Sequence, residues 1–190
     1  MVTNNKVLIL EGGYNEEHEV SLNSSKEIQK TFIENLLEHI KKSEKPIFYV
    51  GGGCLNSGPQ ASLELMKLVQ STNIPITTTL HGLGCYPGED SKSLGMLGMH
   101  GTYEANLAMN KCDLMINIGA RFDDRVTGRL DAFSPDSIKF HFDIDQSSIN
   151  KNVKVDFSTN TDITMSLKAI NVLWLHTMVR FRSKTKPESD

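Results

Sequence analysis

PIFYVGGG, residues 46–53, is a run of strand-forming residues delivered straight into three glycines. Pro46–Val50 has the length and the aromatic and β-branched content of a short buried strand, and Gly51, Gly52 and Gly53 punctuate its end. The pattern repeats outward along the chain. Asp113–Ile118 (DLMINI) is a second such strand and ends on Gly119. Ile74–Thr79 (IPITTT), Ile138–Ile144 (IKFHFDI) and Val153–Phe157 read as further strands, and Lys6–Leu10 (KVLIL) as an earlier one. Helical periods lie between them. From Ser21 onward, apolar residues recur at Ile28, Phe32, Ile33, Leu36, Leu37 and Ile40, which places them on one helix face. Lys41, Lys42 and Lys45 close that segment, as cations favour a helix C-terminus. Ser57 is a candidate cap for the next helix, with Pro59 in its first turn and Leu63, Met66 and Val69 on its inner face. Leu80–Gly101 reads as a long loop, Thr102–Asn110 as a short helix and Ile163–Val179 as a closing helix. Strand, glycine and helix in alternation predict an α/β fold, a Rossmann-like parallel sheet with helices on both faces. In such sheets ligands sit outside the carboxyl ends of the strands.

Composition narrows the function classes. The chain has 190 residues, 38% of them hydrophobic, and a formal charge of −3. That length predicts one main domain with additions. The balance of charge gives no basic surplus for a nucleic-acid backbone. No apolar run approaches the ~20 residues that span a bilayer, and the apolar core of MVTNNKVLIL is too short for a signal peptide. A soluble, cytoplasmic protein is expected. Cys54, Cys85 and Cys112 fit neither a disulfide framework nor a CxxC metal site and are read as small buried hydrophobes. No triad, zinc or EF-hand motif occurs.

The loops after the strands carry the binding signals. Gly51–Gly53 lets main-chain N–H groups approach a phosphate at the following helix, or is a tight turn needing positive φ. Gly119-Ala120-Arg121-Phe122-Asp123-Asp124-Arg125-Val126 sets two arginines and two aspartates directly after a strand. Arginine forks suit phosphate or carboxylate; the plainer alternative is a self-neutralising surface cluster. Asp143, at the end of IKFHFDI, suits a ribose diol, and Asp145 suits the cap of the turn near Ser147. In Met99-His100-Gly101-Thr102, the glycine allows close approach and Thr102 can cap a helix. His100 is read either as a group over a ligand or as a satisfied structural histidine.

KPIFYVGGG, IPITTTLHGLG, LGMLGMHGTYEAN, DLMINIGARFDDRVTGRLDAF and HFDIDQSSINKN occur in this order between about Lys41 and Ile163. Together they closely resemble the central domain of the acetolactate synthase (acetohydroxyacid synthase) catalytic subunit, a thiamine-diphosphate enzyme. The resemblance implies a flavin-binding domain between two thiamine-binding domains, with FAD extended across the strand ends. By that resemblance Gly51, Gly52 and Gly53 form the glycine turn, and Thr79 and Leu80 lie beside the flavin. Met99, His100, Gly101 and Thr102 pack along it. Gly119, Ala120, Arg121, Asp123, Arg125 and Val126 surround the diphosphate and ribityl region. Asp143 and Ile144 hold the adenosine end, and Asp162 and Ile163 make the last contact. Thr161 stands where the family usually has glycine, and His81 where methionine is common.

Residues 6–30 instead resemble the N-terminus of D-alanine–D-alanine ligase, with Glu17 in the segment that orients the first D-alanine. The implied organisation is a ligase-like segment over 1–40, the flavin-binding domain over 41–170 and a divergent tail over 171–190. That pattern is expected of a fusion or a fragment. The family's synthase joins two 2-keto acids with loss of carbon dioxide, toward branched-chain amino acids, using thiamine diphosphate and Mg²⁺. Its Mg²⁺ ligands come from a Gly-Asp-Gly motif, which this sequence lacks, so the isolated chain is expected to be inactive. The resemblance also implies a homo-oligomer. A non-enzymatic remnant and a ligase relative are the competing readings.

Overall fold

The computed structural model describes residues 16–184, with side chains from 29 to 179. The expected strand at Lys6–Leu10 lies outside the described residues. The helix expected from Ser21 is α1, Glu16–Lys42. It buries Ile33, Leu36, Leu37 and Ile40, the stripe that its spacing marks out. Six strands follow: β1 (Pro46–Val50), β2 (Ile76–Thr78), β3 (Ser93–Met96), β4 (Leu114–Ile118), β5 (Ile138–Asp143) and β6 (Phe157–Asn160). Their order across the sheet is β3-β2-β1-β4-β5-β6 and every pairing is parallel. This is the doubly wound order, whose direction reverses between β1 and β4.

The remaining helices are α2 (Gly52–Asn56), α3 (Pro59–Thr72), α4 (Tyr103–Lys111), α5 (Asp124–Thr127) and α6 (Ile163–Lys184). The sheet buries both faces, as parallel sheets do. On one face Phe48, Phe140, Phe142, Ile116 and Ile118 pack under α1, α3 and α6. On the other, Ile47, Tyr49 and Met115 pack under Met109 of α4, with Phe122 and Phe133 from the loops. Each large side chain so buried contributes about 1.5–3 kcal/mol. Asn171 of α6 donates to the Glu64 main-chain carbonyl and carboxylate at 3.0 and 2.8 Å, locking α6 to α3.

Four expectations are corrected. The cap of α3 is Gly58 rather than Ser57, because Gly52–Asn56 forms α2 and Ser57 closes it. Ala61, Glu64, Leu65, Leu68 and Val69 make the inner face of α3, while Leu63 is half exposed. The loop 80–101 contains β3, an edge strand whose bulge at Gly95 hides its period. The last strand is Phe157–Asn160; Val153 reaches the core from a turn in which Asn150 has φ 59°. All three cysteines are free and buried, and Cys54 and Cys85 lie in the same core cluster.

Candidate functional site

The carboxyl ends of the six strands form one rim, and the residues expected to hold a cofactor follow those ends; the Glu17 side chain lies outside the described residues. Gly51–Gly53 follow β1, Thr79 and Leu80 follow β2, and Met99–Thr102 follow β3. Gly119–Val126 follow β4, Asp143 and Ile144 end β5, and Asp162 and Ile163 follow β6.

At the centre of the rim the turns after β1 and β4 lie main chain against main chain. The Gly51 N–H donates to the Ile118 carbonyl at 3.0 Å and the Gly53 N–H to the Gly119 carbonyl at 3.0 Å. A Cβ on Gly51 would stand 2.3 Å from the Gly119 carbonyl oxygen, and one on Gly53 2.8 Å from the Gly119 Cα. The triplet therefore answers a need for close approach, and the positive φ belongs to Gly119 (60°) and not to Gly51–Gly53. Two of its amides are spent on this packing, and α2 has only five residues, so the triplet is a spacer for the rim before it is an anion site.

The flanking loops are held in the same way. Thr79 caps the short turn Leu80–Gly82, accepting the Gly82 N–H at 3.1 Å. The Met99 N–H donates to the Arg125 carbonyl at 3.0 Å, tying the β3 loop to the β4 loop. Thr102 caps α4, as its place in the sequence predicts, and Asn106 ties the Gly98 main chain to that helix. His100 is exposed. Asp162 accepts the Met165 N–H at the start of α6.

Charge on the rim is concentrated in the β4 loop. Arg121 lies 3.3 Å from Asp123 and Arg125 lies 4.0 Å from Asp124, all well exposed. Exposed pairs of this kind contribute little and exchange partners readily, so both guanidinium groups are available to an incoming anion. Asp143 is buried, with its Oδ1 accepting the Asp145 N–H at 2.8 Å. Asp145 caps the turn at Ser147, as its place in the sequence suggested. Between the charged groups stand bare apolar side chains: Leu80 is 63% exposed, Met99 73% and Ile144 64%. The rim thus offers apolar surfaces, two cations and one half-satisfied carboxylate.

One feature was missed from the sequence. Thr77, Tyr49, Asn117 and His141 are opposite one another across β2, β1, β4 and β5, and all are buried. They form a polar row beneath the rim. Thr77 donates to the Gly95 carbonyl, Tyr49 to the Arg121 carbonyl at 3.2 Å and Asn117 to the Ala120 carbonyl at 2.7 Å. Asn117 also accepts the Ala120 N–H, and Asn152 donates to the Phe122 carbonyl. The β4 loop is therefore pinned at three successive carbonyls. Burial pushes the Tyr49 phenol up, and nearby Asp123 adds to it, so Tyr49 stays a neutral donor. The available signal was a polar residue inside each of several apolar strands.

Among the described residues no group of acidic, histidine or cysteine side chains could hold a metal ion, and no helix is long and apolar enough to cross a membrane. Residues 33–170 match the family model for the thiamine pyrophosphate enzyme central domain. The chain is 46% identical over 142 residues to the chloroplastic acetolactate synthase 2 of Zea mays, covering 75% of this chain and 22% of that protein. It is 46% identical over 143 residues to the chloroplastic acetolactate synthase of Arabidopsis thaliana, covering 75% and 21%. With the acetolactate synthase large subunit of Parasynechococcus marenigrum it shares 47% identity over 131 residues, covering 69% and 21%. The chain spans about a fifth of the length of these relatives. A doubly wound sheet with this rim and these relatives assigns the chain to the thiamine pyrophosphate enzyme central-domain family, as an acetolactate synthase central domain.

Proposed function

We propose that the carboxyl rim is a cradle for FAD and that the chain serves as the flavin-binding central domain of an acetolactate synthase. The observation that carries this reading is the gathering of six strand ends into one rim that alternates apolar surface with Arg121, Arg125 and Asp143. An adenine dinucleotide asks for that mixture: flat apolar rings, a diphosphate and ribose hydroxyls. The residues present fit the group. Leu80 and Met99 face the flavin, with Thr79, His100, Gly101 and Thr102 beside them and Gly51–Gly53 closing the turn below. Arg121 and Arg125 take the diphosphate within the loop Gly119, Ala120, Asp123 and Val126. Asp143 takes the ribose and Ile144 the adenine, with Asp162 and Ile163 at the outer edge. Bound FAD in this setting performs no net redox chemistry, and the chain's own residues bind, orient and shield it.

The complete enzyme of this kind condenses two 2-keto acids with loss of carbon dioxide, using thiamine diphosphate and Mg²⁺ held by other domains, and works as an oligomer. The isolated chain is proposed to have no such activity. A cytoplasmic location belongs to this proposal; the plant relatives are chloroplastic. The flavin-binding unit is proposed over 41–170, with Ile33, Leu36, Leu37 and Ile40 of α1 and Asn171 and Trp174 of α6 packed against it. The test is gel filtration of purified chain after incubation with FAD. Flavin absorbance at 450 nm travelling with the folded protein, and lost with Arg121→Ala plus Asp143→Ala, supports the reading. A folded chain that elutes colourless contradicts it and leaves a non-binding remnant.

A further inference from the structure

Three members of the buried polar row hold a main-chain carbonyl of β3 or of the β4 loop, and the fourth, His141, holds none. Its ring is fully buried in β5, yet neither Nδ1 nor Nε2 has a hydrogen-bond partner. A buried polar group without a partner costs about 1–3 kcal/mol. A group left so in a native fold calls for an explanation. The ring is held edge-on to Phe122 of the β4 loop, with centroids 5.4 Å apart. Strand geometry puts residues two apart on the same face, so His141 lies directly below Asp143. Its Nε2 is 3.6 Å from Asp143 Oδ2. Asp143 Oδ1 is already engaged by the Asp145 N–H, and the Asp143 side chain is 11% exposed. The oxygen left for a ligand is thus the one that faces His141.

We propose that His141 is a positioning residue: it orients the Asp143 carboxylate to receive the ribose diol of an adenine-containing ligand, and through Phe122 ties that carboxylate to the arginine loop. This rests on the FAD reading and adds the residue that tunes its adenosine end. The 3.6 Å separation is longer than a hydrogen bond. Contacts of this kind are often loose without ligand and tighten in the complex. Substitution of His141 therefore weakens a ligand's adenosine half without weakening the fold.

The test uses the full chain, FAD and FMN, and the variants His141→Leu, His141→Gln, Asp143→Ala and His141→Leu/Asp143→Ala. His141→Leu is expected to leave the urea midpoint unchanged or raised, because it removes unsatisfied buried nitrogens. It is expected to weaken FAD about tenfold, the size of one hydrogen bond to a charged group, and to leave FMN unchanged. Gln, whose amide reaches the Nε2 position, restores part of the loss. The double variant binds FAD no worse than Asp143→Ala alone. Losses that add, or an equal loss of FMN, overturn the proposal. The imidazole nitrogen resonances of His141 in the ligand-free chain give a second readout. They shift with Asp143→Asn and not with Asp123→Asn; no shift overturns the contact even where FAD binds. A folded wild-type chain that takes up no FAD overturns the ligand role along with the FAD reading, while the resonances still decide the contact.

Discussion

Gly51→Ala is expected to be the most damaging methyl group that can be added to the glycine triplet. The new Cβ meets the Gly119 carbonyl oxygen at 2.3 Å and the Ala120 Cα at 2.4 Å. Both are main chain, so no side-chain rotation relieves the contact. Overpacking a core with extra methyl groups costs about 1–3 kcal/mol, and a clash with main chain on both sides belongs at the top of that range, about 3 kcal/mol. With a urea slope of about 2 kcal/mol/M, the midpoint falls by about 1.5 M. Gly52→Ala, one residue on, supplies the control. Its Cβ lies 3.0 Å from the His81 Cβ and 3.3 Å from the His81 carbonyl oxygen, so the short Leu80–Gly82 turn has to shift by only a few tenths of an ångström. Alanine also favours helix at that position by up to about 1 kcal/mol, so Gly52→Ala changes stability by less than about 0.5 kcal/mol. Gly58→Ala meets no atom within 4 Å, but its φ of 92° with ψ of 175° is a glycine conformation. It costs about 2 kcal/mol by strain alone. Urea denaturation followed by circular dichroism ranks the three as Gly51, then Gly58, then Gly52. Equal losses at Gly51 and Gly52 would refute the idea that the β1 and β4 turns are locked main chain to main chain.

Asn171→Ala leaves Glu64 of α3 without two of its hydrogen bonds and lowers stability by about 1–3 kcal/mol; an unchanged midpoint would show that α6 docks without this lock. Burial raises the Asp113 carboxyl, but hydrogen bonds from Ser43 and the Glu44 and Lys45 amides outweigh it and hold the group below its usual range. A folded value below the unfolded ~3.9 means that the unfolded chain binds more protons. The contribution is therefore present above about pH 4 and lost as pH falls through the folded value. Asp113→Asn destabilises at pH 7 and shows a shrinking deficit toward pH 3; a deficit constant with pH contradicts this sign. Tyr49→Phe frees the Arg121 carbonyl, costs about 1 kcal/mol of stability and raises amide hydrogen exchange across residues 119–123; unaltered exchange there argues against a pinned loop.

What could be read in the sequence was set by burial. PIFYV and LMINI occupy the two central strands, covered on both faces, so their apolar runs announce themselves. SLGM and FSTN are the two edge strands, β3 and β6, only half-buried, and nothing obliges them to be apolar. The site shows the same division. Arg121, Asp143 and the glycines stand where strands meet loops and are visible as breaks in the pattern. Tyr49, Asn117 and His141 sit inside apolar strands; the partners of Tyr49 and Asn117 are carbonyls of a loop whose path no local sequence specifies, and His141 has no partner to betray it. Cys54 and Cys85 are thirty-one positions apart in the chain and share one core cluster because the β1 and β2 ends are neighbours.

Isothermal titration of the folded chain with FAD tests the cradle most directly. The account predicts saturable binding of one FAD per chain, abolished by Arg121→Ala plus Asp143→Ala while the circular dichroism spectrum is kept. Heats no larger than dilution with a fully folded chain, or binding that survives both substitutions, would contradict it.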